Sequence, residues 1–380
     1  MNFQSGWEQW LIIFFIAFLM VNVVAYANGA NFVKARRQVA KATHSYVAVC
    51  MITKNEHYYI RDFIKYHYWI GIQKFYIWDH KSRPSLAYVL EDYVLANVVE
   101  IIYFSDSWKL DEKLFREMYN TSTRTFLSPQ AWAYDNCFRM FAHRHTFIAL
   151  LDPDEYIILK EPPQLPLAQP NISSFLAPFE PYGGITVHWQ LFGPSGHMVR
   201  PNGSALASYT QCIPRERLQL WKEFDAIPLG FTKSITATRC YQRGCNPHLC
   251  ELKPGCKYVN EDFMDLTPSV IRELHWDRIA IFHYVTRSAT EYRLKLRRGS
   301  GHSQYHQANK IFGRTSRGWT YFHLVNTSAT ATCEEGRHAW QRCCTGQRMA
   351  RARGAPAAAA RTAGVAAAAS TAGVGAAAAS

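Results

Sequence analysis

The sequence is poor in acidic residues and contains no internal repeat, which argues against a repeat architecture. Its 380 residues include 29 Asp and Glu against 42 Lys and Arg, so the formal net charge is +13. Almost half of this excess comes from six arginines near the C-terminus with no acidic residue among or after them: Arg337, Arg342, Arg348, Arg351, Arg353 and Arg361. The other basic residues are scattered, and this distribution argues against a nucleic-acid partner.

No two cysteines have the C-x2-C spacing that is usual in zinc sites. Four of the ten cysteines crowd into one segment, as Cys240, Cys245, Cys250 and Cys256. Disulfides tolerate this spacing, and we favour them over a zinc site. Disulfides require an oxidising compartment. Two other cysteines, Cys50 and Cys137, lie in apolar runs and are predicted to be buried thiols.

Charged side chains are absent between Glu8 and Lys34. The apolar stretch in between reaches the lower end of the length that spans a bilayer, and aromatic residues flank it. These features predict a transmembrane signal-anchor over residues 7–27, followed by a stem over 28–44. A cleaved signal peptide is the alternative, because the stretch ends in a triplet that resembles a cleavage site.

Lysine and arginine are also absent before this stretch, whereas several basic residues follow it. Taken alone, that pattern places the main domain in the cytosol. The cysteines and four N-glycosylation sequons argue the other way; the sequons begin at Asn120, Asn171, Asn202 and Asn326. We therefore expect a single-pass protein of the Golgi or endoplasmic reticulum membrane with a lumenal domain.

Strand and helix periodicities alternate along the first half of the chain. Strands are expected at Tyr46–Ile52, Lys74–Trp78, Val98–Tyr103 and Phe147–Leu151, with helices between them. This order is typical of a single Rossmann-type α/β domain with a mostly parallel central sheet. We place the domain at 45–310 and a variable tail at 311–380, which is Ala-rich and expected to be disordered from about residue 354.

Three acidic residues, Asp152, Asp154 and Glu155, follow the fourth predicted strand directly. In open α/β sheets, ligands bind beyond the carboxyl ends of the strands. Aspartates two residues apart point to one side of an extended segment, and their oxygens suit Mg²⁺ or Mn²⁺. An isolated acidic triplet is more often a solvated turn. The buried strand before it and the strand–helix order favour a metal site that holds a diphosphate.

Several blocks carry a more specific signal. They are Met51-Ile-Thr-Lys-Asn-Glu56, Ile60-Arg-Asp-Phe63, Phe75-Tyr-Ile-Trp-Asp79, Leu151-Asp-Pro-Asp-Glu-Tyr-Ile157, His188-Trp-Gln-Leu-Phe-Gly193, Ser195-Gly-His197, Lys233-Ser-Ile235 and His283-Tyr-Val-Thr-Arg-Ser288, together with Gln130, Lys295 and Arg298. In this order, over about residues 46–300, they resemble glycosyltransferase family 92. The resemblance implies a GT-A fold and inverting transfer of a sugar, often galactose, from a nucleotide donor such as a UDP-sugar to a glycan acceptor.

Metal-binding roles can also be assigned to individual residues. Asp154 is expected to be the principal metal ligand, with Asp152 nearer the ribose of the donor. His283 is the candidate for the third contact, because a neutral imidazole is a ligand for Mn²⁺. Simple packing in the core or at the surface is the alternative for His283.

Donor-binding roles are expected at the ends of the first two strands. Asn55, Glu56 and Asp79 are placed to contact the base and the ribose. Arg61 or Lys233 is expected to pair with the diphosphate, because a cationic side chain forms charge-assisted hydrogen bonds with phosphate oxygens.

The sugar pocket and the general base are less sharply indicated. Trp189 and His197 are predicted to line the pocket, although Trp189 equally suits the core. An inverting transferase needs a base to deprotonate the acceptor hydroxyl. Asp154 and Glu155 are the catalytic candidates at the site, and the sequence does not choose a base from the available acids: Glu155, Glu216, Glu223 and Asp225.

Segment 205–260 departs from the family pattern, because it carries extra cysteines and a His-Pro-like element only as Pro247-His248. This departure favours an alternative function, in which a lumenal carbohydrate-binding or scaffold protein keeps the fold without the chemistry. The basic residues after the apolar stretch favour another alternative, a cytosolic, membrane-anchored nucleotide-binding protein.

Overall fold

The computed structural model describes residues 44–104, 128–160, 169–219, 221, 231–267, 270, 273–299 and 318–345. The strands are β1 (Ser45–Thr53), β2 (Lys74–Asp79), β3 (Val99–Tyr103), β4 (His145–Leu150), β5 (Glu155–Leu159), β6 (Gly184–Leu191), β7 (Gln211–Cys212), β8 (Thr232–Ala237), β9 (Tyr241–Cys245), β10 (Cys250–Leu252), β11 (Tyr258–Val259), β12 (Ile279–His283) and β13 (Ala331–Thr332). The helices are α1 (Ile60–Trp69), α2 (Leu86–Val89), α3 (Glu91–Leu95), α4 (Pro129–Phe141), α5 (Ile172–Leu176), α6 (Ala205–Ser208), α7 (Arg215–Gln219), α8 (Ala289–Arg298), α9 (Trp319–Ser328) and α10 (Glu335–Trp340). The predicted α/β class is confirmed.

Nine strands form one mixed sheet in the order β3-β2-β1-β4-β8-β6-β12-β5, with β11 beside β6. The four strands β3, β2, β1 and β4 are parallel neighbours. Strand β8 runs antiparallel between β4 and β6, and β5 runs antiparallel to β12. Since β11 and β12 pair with β6 in parallel, five of the eight pairings are parallel.

Both faces of the sheet are buried around β1, because alternate side chains of a strand point to opposite faces. Val49 and Met51 pack on one face with Phe63 of α1. Cys50 packs on the other face with Phe138 of α4. Helix α1 thus covers one side of the parallel strands and α4 covers the other, which leaves the carboxyl ends of the strands for polar residues.

Cys50 and Cys137 form a disulfide with a Cα–Cα distance of 6.5 Å. The prediction that they are buried thiols is therefore wrong. Both residues do lie in apolar surroundings and are fully buried. They pair because the inner face of α4 packs on the same face of β1, a contact between residues 87 positions apart that spacing along the sequence does not show.

The predicted disulfides in the segment 240–256 are confirmed. Cys240 pairs with Cys256, and Cys245 pairs with Cys250 across the β9–β10 hairpin. Two further disulfides join Cys212 to Cys333 and Cys343 to Cys344. All ten cysteines lie in the described part of the chain, and all are paired there.

Residues 318–345 pack against the domain, although the sequence places them in a variable tail. Strand β13 pairs with β7, next to the disulfide between Cys212 and Cys333. Val325 of α9, Ala339 of α10 and Cys343 belong to the same hydrophobic cluster as the central strands. This segment is thus part of the folded unit, whereas the predicted disorder from residue 354 falls outside the described residues.

The predicted N-terminal transmembrane helix is not supported. No helix in the described part of the chain is long and apolar enough to cross a membrane. The longest, α4, has 13 residues, whereas a spanning helix needs about 20. The predicted anchor at 7–27 and the stem up to residue 43 lie outside the described residues.

Candidate active site

The chain passes from β4 to β5 through a short turn that carries the acidic residues. The N–H of Glu155 donates to the carbonyl oxygen of Asp152 at 3.0 Å. In a flat sheet, β4 and β5 lie four strand steps apart and are separated by about 19 Å, which is more than this turn spans. The sheet therefore curls, and the curl gathers the ends of β8, β6 and β12 around the turn.

Asp152 is held by three protein donors. Gln130 Nε2 donates to its Oδ1 at 2.6 Å, and the hydroxyl of Tyr134 donates to the same oxygen at 3.1 Å. Gln130 and Tyr134 are one turn apart on α4, which places both on the face above the acidic turn. Lys233 of β8 donates to Oδ2 at 3.0 Å. Burial raises the pKa of Asp152, but the charge and hydrogen bond of Lys233, together with the nearby His283, lower that pKa below its usual value.

Asp154 is buried and contacts two groups from other elements. The Lys295 ammonium of α8 donates to its Oδ2 at 2.5 Å. The His283 imidazole at the end of β12 places Nε2 at 3.7 Å from Oδ1. Burial opposes ionisation, yet the charge of Lys295 holds the pKa of Asp154 well below its usual range. The carboxylate is therefore ionised at neutral pH.

Glu155 has no exposed surface. One oxygen, Oε2, accepts the N–H of Asp152 at 2.8 Å and lies 3.3 Å from Lys233 Nζ. The other oxygen, Oε1, lies 3.9 Å from His283 Nδ1. Burial raises the pKa of Glu155 well above its usual value despite the nearby Lys233. The side chain is placed to orient its neighbours rather than to meet solvent.

Trp189 forms a wall beside the histidine. Its ring on β6 packs against the His283 ring, with 4.6 Å between centroids and an interplanar angle of 63°. Its Nε1 is buried and has no hydrogen-bond partner within the described residues. An indole N–H usually finds a partner when it is buried, so this orphaned donor is unusual.

Glu56, at the end of β1, binds two arginines. Arg287 Nη1 donates to Oε2 at 2.7 Å, and Arg298 of α8 donates to Oε1. Arg287 also donates to the carbonyl oxygen of Pro153 at 3.3 Å. Burial works against ionisation of Glu56, but the two arginines lower its pKa. The cluster thus fixes α8 and the acidic turn to the end of β1.

Asn55 and Asp79 shape the loop that follows β2. The side-chain oxygen of Asn55 accepts the N–H of Arg83 at 2.9 Å. Asp79 accepts the N–H groups of Ser82 at 2.9 Å and Leu86 at 3.1 Å. The bond to Leu86 satisfies a backbone donor at the start of α2, where no helical carbonyl is available to it, and the other two hold the loop before that helix.

Three comparisons with known proteins bear on this arrangement. Residues 45–239 match the family model of glycosyltransferase family 92, which is more than half of the chain. The chain belongs to this family. The resemblance carried by the sequence blocks is thereby confirmed, and the activity class is glycosyl transfer. A comparison with curated proteins gave no match.

Among solved structures, the "Crystal structure of S. aureus TarS" is similar, with 11% identity and a TM-score of 0.26. The similar region covers 51% of this chain and 29% of TarS. The family 92 chain thus spans less than a third of the length of TarS. A similarity at this level adds nothing to the assignment made by the family match.

The structure of this family 92 member brings most of the predicted site residues together. Contacts join six of them around the turn: Asp152, Asp154, Glu155, Trp189, Lys233 and His283. Arg61 instead makes a two-pronged ion pair with Asp92, at 2.7 and 2.6 Å. His197 Nε2 lies 3.2 Å from the carbonyl oxygen of Ser208 and its ring packs against Tyr209.

Four residues at the site were given no role from sequence: Gln130, Tyr134, Arg287 and Lys295. Gln130, Arg287 and Lys295 stand within the blocks that resemble the family, so their positions carried a signal without a function. The one-turn spacing of Gln130 and Tyr134 on a helix that leads into β4 was a second signal. Nothing local in the sequence indicated that Arg287 binds Glu56, 231 positions away.

Asp154 and His283 fit a divalent cation better than Asp152 does. Ligand atoms that each lie about 2.1 Å from one ion are about 3 Å or more apart. The 3.7 Å between Asp154 Oδ1 and His283 Nε2 is compatible with that spacing and is too long for a hydrogen bond. Asp152 already accepts three hydrogen bonds, which suits a role beside the ion.

A second group of possible metal ligands lies away from the acidic turn. Within the described residues, Glu261, Asp262 and His275 form the group of three whose ligand atoms lie within 4.8 Å of one another. Glu261 accepts the N–H groups of Asp277, Arg278 and Ile279 at 2.7–3.0 Å. These bonds account for the burial of Glu261 and hold the start of β12. That end of the strand lies about 13 Å from His283.

Proposed function

We propose that this family 92 glycosyltransferase transfers a hexosyl residue such as galactose from a UDP-sugar to a glycan or glycoprotein acceptor. The proposed reaction uses Mn²⁺ or Mg²⁺ and inverts the configuration at the transferred carbon. The arrangement that supports it is the turn of Asp152 and Asp154 at the carboxyl ends of the central strands, where α/β folds bind ligands. Lys295, Lys233 and Arg287 surround this turn with positive charge.

In this proposal Asp154 and His283 hold the cation. When bound, the ion would neutralise the diphosphate and stabilise it as a leaving group. Asp152, fixed by Gln130, Tyr134 and Lys233, presents its partly exposed carboxylate towards the ribose. The ring of Trp189, which packs against His283, is proposed to line the sugar pocket.

Glu155 takes a positioning role here, because a base must approach the acceptor hydroxyl to within hydrogen-bond distance and Glu155 is fully buried. It lies between the backbone of Asp152, the ammonium of Lys233 and the ring of His283. Of the other predicted candidates for the base, Glu216 is exposed on α7, and Glu223 and Asp225 lie outside the described residues.

The proposed compartment is the lumen of the Golgi or endoplasmic reticulum. Five disulfides support it, since they persist in oxidising compartments. Three of the sequon asparagines, Asn171, Asn202 and Asn326, are exposed, as glycosylation requires. A glycosidase that trims N-glycans is expected to increase the gel mobility of the expressed protein, and unchanged mobility would count against a lumenal domain.

A donor screen tests the proposed activity. Purified protein with Mn²⁺ is offered a panel of UDP-sugars and hexose-terminated acceptors, and release of UDP is measured. The wild type is expected to turn over at least one donor, whereas Asp154→Ala loses activity by about 100-fold or more. A folded Asp154→Ala protein with near-normal turnover would contradict the metal assignment, and a folded wild type that releases no UDP would favour a non-catalytic protein.

A further inference from the structure

The two lysines at the acidic turn differ in how firmly they are held. Lys233 is 1% exposed, lies within the sheet on β8 and contacts two carboxylates, Asp152 and Glu155. Lys295 is 25% exposed, lies on α8 and contacts Asp154 and the carbonyl oxygen of Val285. Lys233 is therefore part of the core, whereas the side chain of Lys295 is partly exposed to solvent.

Lys295 and a divalent cation require the same carboxylate. The Lys295 ammonium lies 2.5 Å from Asp154 Oδ2, and His283 faces the other oxygen of that carboxylate. A divalent ion bound to Asp154 would lie within a few ångströms of this ammonium, where like charges repel strongly. The two cations are thus expected to compete for Asp154.

Release of Lys295 would not disrupt α8. The start of the helix is fixed by the capping box of Ser288 and Glu291, and the hydroxyl of Tyr209 donates to the same glutamate at 2.6 Å. Near its end, Arg298 binds Glu56 and the carbonyl oxygen of Lys54. A flexible four-carbon stem then allows the Lys295 ammonium to move while the helix stays in place.

We propose that Lys295 is an exchangeable counter-ion that yields Asp154 to the divalent cation and then binds the diphosphate of the donor. The proposal rests on the proposed function, because it takes the cation and the nucleotide as given. An ammonium group next to the cation site forms charge-assisted hydrogen bonds with phosphate oxygens. The cation and the nucleotide would therefore bind in order, with the lysine linking the two steps.

The test compares Lys295→Met with wild type in two binding measurements that need no turnover. Binding of Mn²⁺ alone is followed by the electron paramagnetic resonance signal of the free ion. Binding of UDP at saturating Mn²⁺ is followed by calorimetry. Lys295→Met is expected to bind Mn²⁺ about tenfold more tightly and UDP about tenfold more weakly than wild type. Arg297→Met, on an exposed position of the same helix, is expected to change neither.

Opposite shifts in the two affinities distinguish exchange from general damage to the site, which would weaken both. Unchanged or weaker Mn²⁺ binding by Lys295→Met would overturn the exchange, and unchanged UDP binding would overturn the diphosphate contact. If Lys295→Met does not fold, Lys295→Gln is measured by the same criteria. Wild type that binds neither Mn²⁺ nor UDP would overturn the proposed function itself, an outcome distinct from a failure of the lysine exchange.

Discussion

Glu155 and His283 are register partners across strands β5 and β12. The His283 ring faces a carboxylate on each side, with Nδ1 at 3.9 Å from Glu155 Oε1 and Nε2 at 3.7 Å from Asp154 Oδ1. Histidines that bind metals commonly present their second nitrogen to a carboxylate, which orients the ring. The backbone pairing of two strands thus places an orienting group behind a proposed metal ligand.

Replacement of Glu155 by Gln tests this orienting role. We expect Glu155→Gln to fold and to bind Mn²⁺ about tenfold more weakly than wild type, because groups behind metal ligands typically contribute that much. The pH profile of kcat should keep its shape, since the proposed function gives Glu155 no role as the base. Asp262→Asn, at the acidic group near the start of β12, serves as the matched control and should leave Mn²⁺ affinity unchanged. Loss of the acid limb of the kcat profile in Glu155→Gln would instead identify Glu155 as the base.

The disulfide between Cys50 and Cys137 should contribute strongly to stability. It closes a loop of 87 residues, and a cross-link over that length lowers the entropy of the unfolded chain, which stabilises the fold by about 4.6 kcal/mol. The double variant Cys50→Ala/Cys137→Ala is expected to lose about this much free energy of unfolding in urea denaturation.

The matched control for that experiment is the disulfide between Cys343 and Cys344, which are adjacent in sequence. This disulfide constrains almost none of the unfolded chain, so we expect its removal to cost much less free energy of unfolding. Equal losses from the two double variants would show that loop closure does not account for the effect of the Cys50–Cys137 disulfide.

Acid should destabilise the fold through His67. Nδ1–H donates to the carbonyl oxygen of Phe63 at 2.8 Å, and Nε2 accepts the N–H of Ile157 at 3.1 Å. Burial lowers the pKa of His67 to about 3, below the unfolded value of about 6.5. The unfolded chain therefore binds the proton more readily, so the stability present above about pH 6.5 is lost as the pH falls towards 3.

Urea unfolding at a series of pH values measures this effect. We expect His67 to account for a loss of about 2 kcal/mol by about pH 5. His67→Gln, which keeps a donor and an acceptor but does not titrate, should show a weaker dependence on pH. His143→Gln, at an exposed position, should behave as wild type. A wild-type unfolding midpoint that stays constant from about pH 7 to about pH 5 would contradict the prediction.

The sequence predicts the site best where function depends on neighbours along the chain. Asp152, Asp154 and Glu155 follow a buried strand directly, so the local pattern was enough to place them at the sheet edge. The partners of these residues come from distant elements. Lys295 meets Asp154 across 141 positions, and Arg287 meets Glu56 across 231. Such contacts depend on how α8 packs, which residue spacing does not encode.

The order of the strands in the sheet was also not predictable from the sequence. The alternation of strands and helices predicted the parallel strands β1 to β4, because each crossover returns the chain to the same edge. It did not predict that β8 enters antiparallel between β4 and β6. That insertion brings Lys233 under the acidic turn. Arg61 was likewise not assigned correctly by sequence position alone. From the start of α1 its side chain could be expected at the site, but it pairs with Asp92 instead.

The central claim is that Asp154 and His283 hold a divalent cation. The most direct measurement is the anomalous scattering of Mn²⁺ in crystals of the protein grown or soaked with MnCl₂ and UDP. The account predicts a peak about 2.0–2.3 Å from Asp154 and from Nε2 of His283, and none there in Asp154→Ala. A peak only at Glu261, Asp262 and His275, or none at all, would contradict it.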